Sequence, residues 1–269
     1  MTHDREAEGM HGHNGSGATV PRRGRQGLPR LGQDAPVSVS PKTAIYIEIG
    51  SKRVFAGALD WPGWSRSGRD EAAAMEALVA YGPRYADAIA DVAIPFDPPT
   101  EVANVQIAER LKGGSGTDFG APSVAPAYDS GTMSEDEGAG QAALLQACWA
   151  TFDRSAGAAV GIPLAKGPRG GGRELDAIVR HVLEAEQAYL AALGGRYGGT
   201  VGSTVESVMA GTRAAVLETL MKRIRGQSLP PSRRTSPLWT PRYFVRRSAW
   251  HALDHAGEIE DRAGAPRAA

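Results

Sequence analysis

Two histidines lie four residues apart near the end of the chain, in the stretch WHALDHAGEIEDR. On an α-helix this spacing places His251 and His255 one turn apart on the same side, so that both imidazoles can reach one cation. The zinc-protease motif is absent, because it requires Glu directly after the first histidine and Ala252 stands there. Taken alone, the pair fits two partly buried histidines that hydrogen-bond to the protein better than it fits a metal site.

A third histidine, His181, changes this interpretation, because it lies in the middle of an upstream segment with helical periodicity. The other histidines of the chain are in its N-terminal segment, at His3, His11 and His13. Every histidine of the part predicted to be ordered therefore lies on a predicted helix beside apolar residues. Three neutral imidazoles with an open fourth position are the ligand set of a catalytic zinc site. The sequence predicts a metal centre formed by His181, His251 and His255.

Two side chains near these histidines could take part in chemistry. Glu258 follows His255 by one turn, and two roles for it stay open: it orients an imidazole or accepts a proton, or it pairs with Arg262 in a surface salt bridge. Cys148 is the only cysteine, which excludes an intrachain disulfide. Its apolar neighbours predict a small buried side chain rather than a nucleophile.

Four amphipathic segments carry these residues, at about 134–156, 172–195, 204–226 and 241–262. Each has apolar positions at helical spacing. Ser134 and the acidic residues that follow it favour the start of the first helix, and Gly194 and Gly195 end the second. Four such segments with linkers between them predict an antiparallel four-helix bundle over residues 134–265.

The segment before the bundle alternates apolar and polar residues in TAIYIEI, which predicts a strand, and a second strand in RVFAGAL. Asp70 is predicted to cap a helix that Gly82 and Pro83 end. DVAIPF and VANVQIAERL predict further strands, although the second also fits a helix. We therefore expect an α+β domain over residues 42–125, joined to the bundle by a linker at 126–133.

Composition limits the partners and the location of the protein. Residues 1–41 are rich in Gly, Pro, Arg and Ser, which predicts a disordered leader. The 30 basic and 30 acidic residues balance, which disfavours nucleic acid and anionic membranes as partners. No apolar run approaches the roughly 20 residues of a membrane span, and the N-terminus lacks the order of a signal peptide. Together with the single cysteine, these features predict a cytoplasmic protein.

The stretches RELDAIVRHVLEAEQAYLAALG and YFVRRSAWHALDHAGEIEDR together resemble the DinB-like (YfiT-like) four-helix proteins. The resemblance covers about the last half of the chain. In that family a histidine from the second helix and an H-x-x-x-H pair from a later helix bind a divalent metal, which implies His181, His251 and His255 as ligands here. One departure is Gly257, where relatives usually carry a larger, often aromatic residue, so that the sequence predicts a gap beside it.

The same resemblance implies a function. Some DinB-like proteins are metal-dependent transferases or isomerases in which the metal activates a low-molecular-weight thiol such as mycothiol or bacillithiol. The expectation for this chain is a divalent-metal-dependent transferase, isomerase or hydrolase that acts on a small molecule, with zinc, nickel or iron as metals that suit histidine ligands. Glu258 would be its catalytic carboxylate, and the oligomeric state stays open, with a homodimer as one alternative.

A second resemblance concerns the front of the chain. FAGALDWPGWSRSGRDEAAAMEAL is similar to the core of a HicB-type antitoxin domain, in which a strand, a Pro-Gly turn, a glycine and an acidic cap lead into an Ala-rich helix. The matching positions are Pro62, Gly63, Gly68, Asp70, Glu71 and Ala72. This resemblance implies an alternative function, a non-enzymatic regulatory protein whose front domain binds a partner. The simpler interpretation is a small α+β unit that packs on the bundle as a cap or a dimer surface.

Overall fold

A four-stranded mixed sheet comes first in the described part of the chain, and long helices follow it. The structure is a computed structural model and describes residues 42–166, 172–199, 202–230 and 236–264. The predicted leader, residues 1–41, lies outside the described residues. The strands are β1 (Thr43–Ile49), β2 (Val54–Ala58), β3 (Ser65–Gly68) and β4 (Val105–Lys112). The helices are α1 (Glu71–Ala88), α2 (Ser115–Phe119), α3 (Glu135–Ala158), α4 (Leu175–Leu193), α5 (Val205–Ile224) and α6 (Pro241–Ala263).

The sheet has the order β3-β2-β1-β4, and β1 is central. It pairs antiparallel with β2, where Ile47 lies opposite Ala56, and parallel with β4, where Ile45 lies opposite Ile107. A parallel pair needs a crossover connection, which here contains α1. VANVQIAERL thus contains a strand, which one turn of 3-10 helix at Val102–Asn104 precedes.

Both faces of β1 are covered, although its alternating sequence predicted only one buried face. Ile45 and Ile47 are fully buried, but so are Tyr46 and Glu48 on the opposite face. Glu48 is buried because backbone amides of the loop after α2 bind its carboxylate: Ser123 N donates over 3.0 Å to Oε1 and Val124 N over 3.2 Å to Oε2. A buried carboxylate is tolerated only with such donors.

Helix α1 begins as predicted, because Oδ1 of Asp70 accepts a hydrogen bond of 2.8 Å from the backbone N of Ala73. The prediction that Gly82 and Pro83 end this helix is wrong. The helix continues through Pro83 to Ala88. An internal proline removes a backbone hydrogen bond and costs about 3 kcal/mol, so the last turn must be held by packing.

The packing of that last turn is specific. Tyr85 is fully buried, its ring stacks on Trp64 at 5.9 Å, and its hydroxyl donates to the carbonyl of Pro62 over 2.9 Å. Gly82 permits a close approach by the following loop, since a Cβ there would lie 2.8 Å from Cβ of Pro98. Tertiary contacts therefore outweigh the local signal to stop.

The prediction of a strand in DVAIPF is also wrong, because residues 91–96 form turns and irregular backbone. Phe96 at the end of this segment instead packs in an aromatic cluster. Its ring centroid lies 4.6 Å from that of Trp61, 5.1 Å from that of Trp64 and 5.2 Å from that of Tyr85. Strand β3, a polar four-residue strand that pairs with β2, was not predicted. The short α2 was not predicted either.

The four helices α3, α4, α5 and α6 match the predicted segments closely. Their starts are capped by side chains at three of four positions, Ser134, Thr204 and Thr240, and α4 ends at Gly194 with φ of 103°. Helix α6 packs on α3 and α4, and α4 also packs on α5. No helix of the described residues has the length and apolar character needed to cross a membrane.

Helix α6 also contacts the sheet, through the side chain of Arg246. The guanidinium of Arg246 is bound by both carboxylate oxygens of Asp129, at 2.8 and 2.7 Å, and it donates to the carbonyl oxygens of Ala58 and Leu59 beyond β2. Asp129 is fully buried, although it lies in the segment 126–133 predicted to be a linker. The sheet and the helices belong to one compact unit.

Candidate metal centre

His251 and His255 lie one turn apart on α6, as their spacing predicted. The helix is long enough to carry them because Thr240 caps its start, Pro241 occupies its first turn and Gly264 ends it with φ of 63°. Both histidines are buried, with 6% and 8% of their surface exposed. Their ring centroids are 4.6 Å apart.

Helix α4 brings His181 to the same place. Its ring centroid lies 5.3 Å from that of His251 and 5.0 Å from that of His255. One nitrogen atom from each of the three rings can be chosen so that all three lie within 4.8 Å of one another. A single ion with tetrahedral bonds of about 2.0–2.1 Å to each nitrogen places the nitrogens roughly 3.3–3.4 Å apart, so the three rings must move closer together when an ion binds. The structure thus brings together the three residues that the sequence singled out.

The electrostatic surroundings of His181 and His251 keep these two imidazoles neutral. Burial lowers the pKa of His251 well below its usual range, and the nearby His255 and Arg247 lower it further. Burial also lowers the pKa of His181, and Arg173 adds to the effect. Neutral imidazole is the form that binds metal, because the ligand nitrogen must be free of its proton.

The hydrogen bonding of the three rings also suits a metal. Within the described ranges, neither ring nitrogen of His181 or of His251 has a hydrogen-bond partner. A neutral imidazole without a partner in the protein keeps one nitrogen lone pair available to an ion. These residues therefore fit a divalent metal ion by ligand type, protonation and proximity.

Glu258 combines the two roles that the sequence left open. Its Oε2 lies 2.8 Å from Nδ1 of His255, and its Oε1 accepts a hydrogen bond of 2.8 Å from Nη1 of Arg262. A carboxylate only accepts, so Nδ1 of His255 carries the proton and Nε2 is left for a metal. The hydrogen bond from His255 is the main cause that lowers the pKa of Glu258. The carboxylate is therefore charged at neutral pH, and it is suited to orienting the ring.

Arg262 is held in turn by the loop that precedes α4. Its Nε donates to the carbonyl of Ala165 over 2.8 Å, and its own carbonyl accepts from the backbone N of Ala165 over 2.9 Å. The position of the His255 ring is thus fixed through Glu258 and Arg262 by backbone outside the helix.

Known proteins give no further guide to this centre. No family model matches the chain, and no curated protein or solved structure is significantly similar to it. The geometry of the site and the residues quoted above are therefore the basis for assigning a function.

Cys148 plays no part in the site. The thiol is fully buried on α3, and burial raises its pKa to about 12. A thiol that stays protonated at neutral pH is a poor nucleophile, which agrees with its predicted role as a small buried side chain.

Two residues near the histidines were not predicted. The ring of Tyr189 lies 5.6 Å from that of His251, and the guanidinium of Arg247 lies 4.6 Å above the ring of Trp250. Arg247 precedes His251 by four residues, so helical periodicity alone could have placed it on the same side. The approach of Tyr189 depends on how α4 packs against α6, for which the sequence carries no local signal.

A cleft opens beside the centre, between α6 on one side and β2, β3 and α1 on the other. Glu258 lines it, so that the cleft reaches the residue that orients His255. Gly257 lines it too, and the gap predicted there is occupied by Arg84 of α1: a Cβ on Gly257 would lie 3.4 Å from its Nη2. Arg84 in turn pairs with Glu260 and Asp261.

Proposed function

We propose that the protein is a metal-dependent enzyme of the DinB-like type, in which α3, α4, α5 and α6 form the four-helix bundle and His181, His251 and His255 hold a divalent metal. The observation that carries this proposal is the convergence of three imidazoles, from two helices, to within 4.8 Å of one another. Three protein ligands leave a position for a reacting molecule, which is the arrangement of catalytic centres.

The bound metal would lower the pKa of a thiol or water ligand, which supplies a nucleophile at neutral pH for a transferase, isomerase or hydrolase reaction. Zinc, nickel and iron all suit imidazole ligands, and a low-molecular-weight thiol such as mycothiol or bacillithiol is the proposed co-substrate. The residues of the protein itself orient the ligand rings and limit the access of water to them. Glu258 fixes the tautomer of His255, and the burial of His251 and His255 restricts the access of water to their rings.

Metal quantification tests this proposal. The purified protein, incubated with zinc, nickel or iron and then desalted, is expected to retain one metal ion per chain. His181→Ala, His251→Ala and His255→Ala should each lose most of it while circular dichroism shows an unchanged helical content. His13→Ala, in the N-terminal segment, is the matched control and should retain the metal. Metal well below one equivalent in the wild type, or full metal in His251→Ala, would overturn the proposal.

The alternative of a partner-binding regulator has less support. In the front unit, the Pro62–Gly63 turn of the HicB-like pattern lies against α6, where a Cβ on Gly63 would be 3.1 Å from Cβ of Ala249 and 3.1 Å from Cδ1 of Leu253. A turn that is buried in this way is not free to bind another protein. The packing favours the interpretation of this unit as a cap on the helices.

A further inference from the structure

The cleft between the sheet and α6 has the size of a small-molecule site. Its volume is about 680 Å³, within the roughly 300–1,000 Å³ that is usual for ligand pockets. One wall belongs to α6 and includes Trp250, Asp254 and Glu258; the opposite wall includes Phe55 and Arg66 of the sheet. The cleft is therefore bounded by both parts of the fold, and it is connected to the metal centre through Glu258, although none of the three histidines lines it.

Charged side chains in the cleft fall into a paired and an unpaired group. Four arginines and three carboxylates line it. Arg84 is bound by Glu260 and Asp261, and Arg262 is bound by Glu258. These pairs are neutralised within the protein and leave little charge for a ligand.

Arg53 and Arg66 are different, since neither has a carboxylate oxygen within 4.0 Å among the described residues. Arg66 donates through Nη1 to the carbonyl of Ser65 over 3.0 Å, and Arg53 donates through Nη1 to Oγ of Ser67 over 3.4 Å. The guanidinium of Arg66 also covers the ring of Tyr81, 3.1 Å from the centroid. The side chain of Arg66 also forms a hydrogen bond with Tyr81. Neither arginine is neutralised by a carboxylate of the described residues, so each keeps a positive charge that an anion can pair with.

Asp254 is the unpaired charge of opposite sign. Its carboxylate is open to the cleft, yet it makes no hydrogen bond and no ion pair with any of the described residues. Arg66 attracts it across the cleft, but no nitrogen of Arg66 comes within 4.0 Å of its oxygens. The guanidinium of Arg66 and the carboxylate of Asp254 thus line the same cleft without forming an ion pair.

Aromatic side chains supply the apolar part of the cleft. Phe55 and Trp250 meet edge to face at 6.1 Å, and Tyr81 lies below Arg66. A ligand with an apolar body would pack on these rings.

We propose that this cleft binds the substrate and that the substrate is a small amphoteric molecule of amino-acid type, with its carboxylate on Arg66 and Arg53, its ammonium group on Asp254 and its apolar body against Phe55 and Trp250. This inference rests on the proposed function, because it names the substrate class of the same centre. Each unpaired charge then gains a partner, and charge-assisted hydrogen bonds of this kind are among the strongest in proteins.

Calorimetric titration of the metal-loaded protein tests the assignment with three matched probes. L-Phenylalanine carries both charges, 3-phenylpropionate lacks the ammonium group, and 2-phenylethylamine lacks the carboxylate. L-Phenylalanine is expected to bind at least about tenfold more tightly than either singly charged probe. Screening of the other standard amino acids by thermal shift extends the test to different side chains.

Variants assign each charge to its partner. Asp254→Asn should remove the preference for L-phenylalanine over 3-phenylpropionate, and Arg66→Gln should remove its preference over 2-phenylethylamine. Gly257→Phe should block binding of every probe, because its ring enters the cleft. Asp261→Asn, which alters a carboxylate of the same cleft that Arg84 already pairs with, is the matched control and should bind like the wild type. All variants are expected to keep the metal and the helical content.

The outcomes separate this inference from the proposed function. It is overturned if no amino acid binds, if L-phenylalanine binds no better than 3-phenylpropionate, or if Asp254→Asn and Arg66→Gln leave the preferences unchanged. It is also overturned if Asp254→Asn folds but loses the metal, because Asp254 then belongs to the metal centre. Failure of the proposed function gives another pattern: the wild type holds no metal, whereas the charge preferences of the cleft persist.

Discussion

Oε2 of Glu258 lies 2.8 Å from Nδ1 of His255, and this contact links the candidate metal centre to the cleft beside it. A carboxylate that holds the second nitrogen of a ligand histidine fixes the tautomer and the orientation of the ring. Glu258 is in turn held by Arg262, so the His255 ring is set by a chain of contacts rather than by its own rotamer.

Replacement of Glu258 by glutamine should weaken metal binding without abolishing it. Glutamine keeps the size of the side chain but removes the charge that holds Nδ1–H, and loss of such a partner lowers metal affinity by about 10–100-fold. Competition with a chromogenic chelator measures this change. Asp261→Asn, one turn of α6 further along, is the control and should leave the affinity unchanged. Equal affinities for Glu258→Gln and the wild type would show that the contact does not support the ligand.

Gly257→Ala should stabilise the protein. Glycine inside a helix costs about 0.5–1 kcal/mol relative to alanine, and the new Cβ would lie 3.4 Å from the mobile end of Arg84, which can move by a few tenths of an ångström. We expect the free energy of unfolding in urea to rise by up to about 1 kcal/mol. Gly264→Ala is the opposite control, because φ is 63° there, and it should lower the stability. A loss of stability in Gly257→Ala would mean that Arg84 cannot adjust.

Asp129→Asn should destabilise the fold strongly. Asp129 is fully buried and binds Arg246 through both oxygens, so its neutralisation leaves a buried guanidinium without a counterion. Such a change costs about 3–5 kcal/mol, measured by urea denaturation. Glu135→Gln removes an exposed pair with Arg225 and should change the stability by less than about 1 kcal/mol. Similar effects of the two substitutions would contradict the role of Asp129 in fixing the sheet to α6.

The buried thiol predicts how stability depends on alkaline pH. The pKa of Cys148 is raised by burial to about 12, so the folded protein keeps the proton that the unfolded chain releases above its usual pKa of about 8.5. The stability from this difference is fully present below pH 8.5 and is lost as the pH rises further. Urea denaturation at pH 7.5, 8.5 and 9.5 should show a steeper loss for the wild type than for Cys148→Ala. Parallel curves would show that the thiol is not protected.

The local signals of the sequence located most of the helices. Side-chain oxygens at Ser134, Thr204 and Thr240 and the left-handed glycine at Gly194 act within a few residues, so they can be recognised without knowledge of the fold. The Gly82–Pro83 signal failed because the burial of Tyr85 against Trp64 decides the end of α1. Contacts between residues distant in sequence are not encoded in a local pattern.

The candidate site likewise contains residues that a local pattern relates and residues that only the fold brings together. His251, His255 and Glu258 share one helix, and helical geometry alone relates them. His181 approaches these residues only because α4 packs against α6. The sequence suggested this approach only through the small number of histidines in the chain. Arg66 and Asp254, which face each other across the cleft, lie 188 positions apart, on β3 and α6. No spacing rule connects such residues.

The position of α6 has a practical consequence for work with shortened forms of the protein. One side of this helix supplies two imidazoles, and another side is anchored to the strands through Arg246. A fragment that begins after residue 133 would leave Arg246 and Trp250 uncovered on the very helix that bears both imidazoles. Loss of metal from such a fragment would therefore reflect destabilisation of α6, and only fragments that retain residues 42–133 can report on metal binding itself.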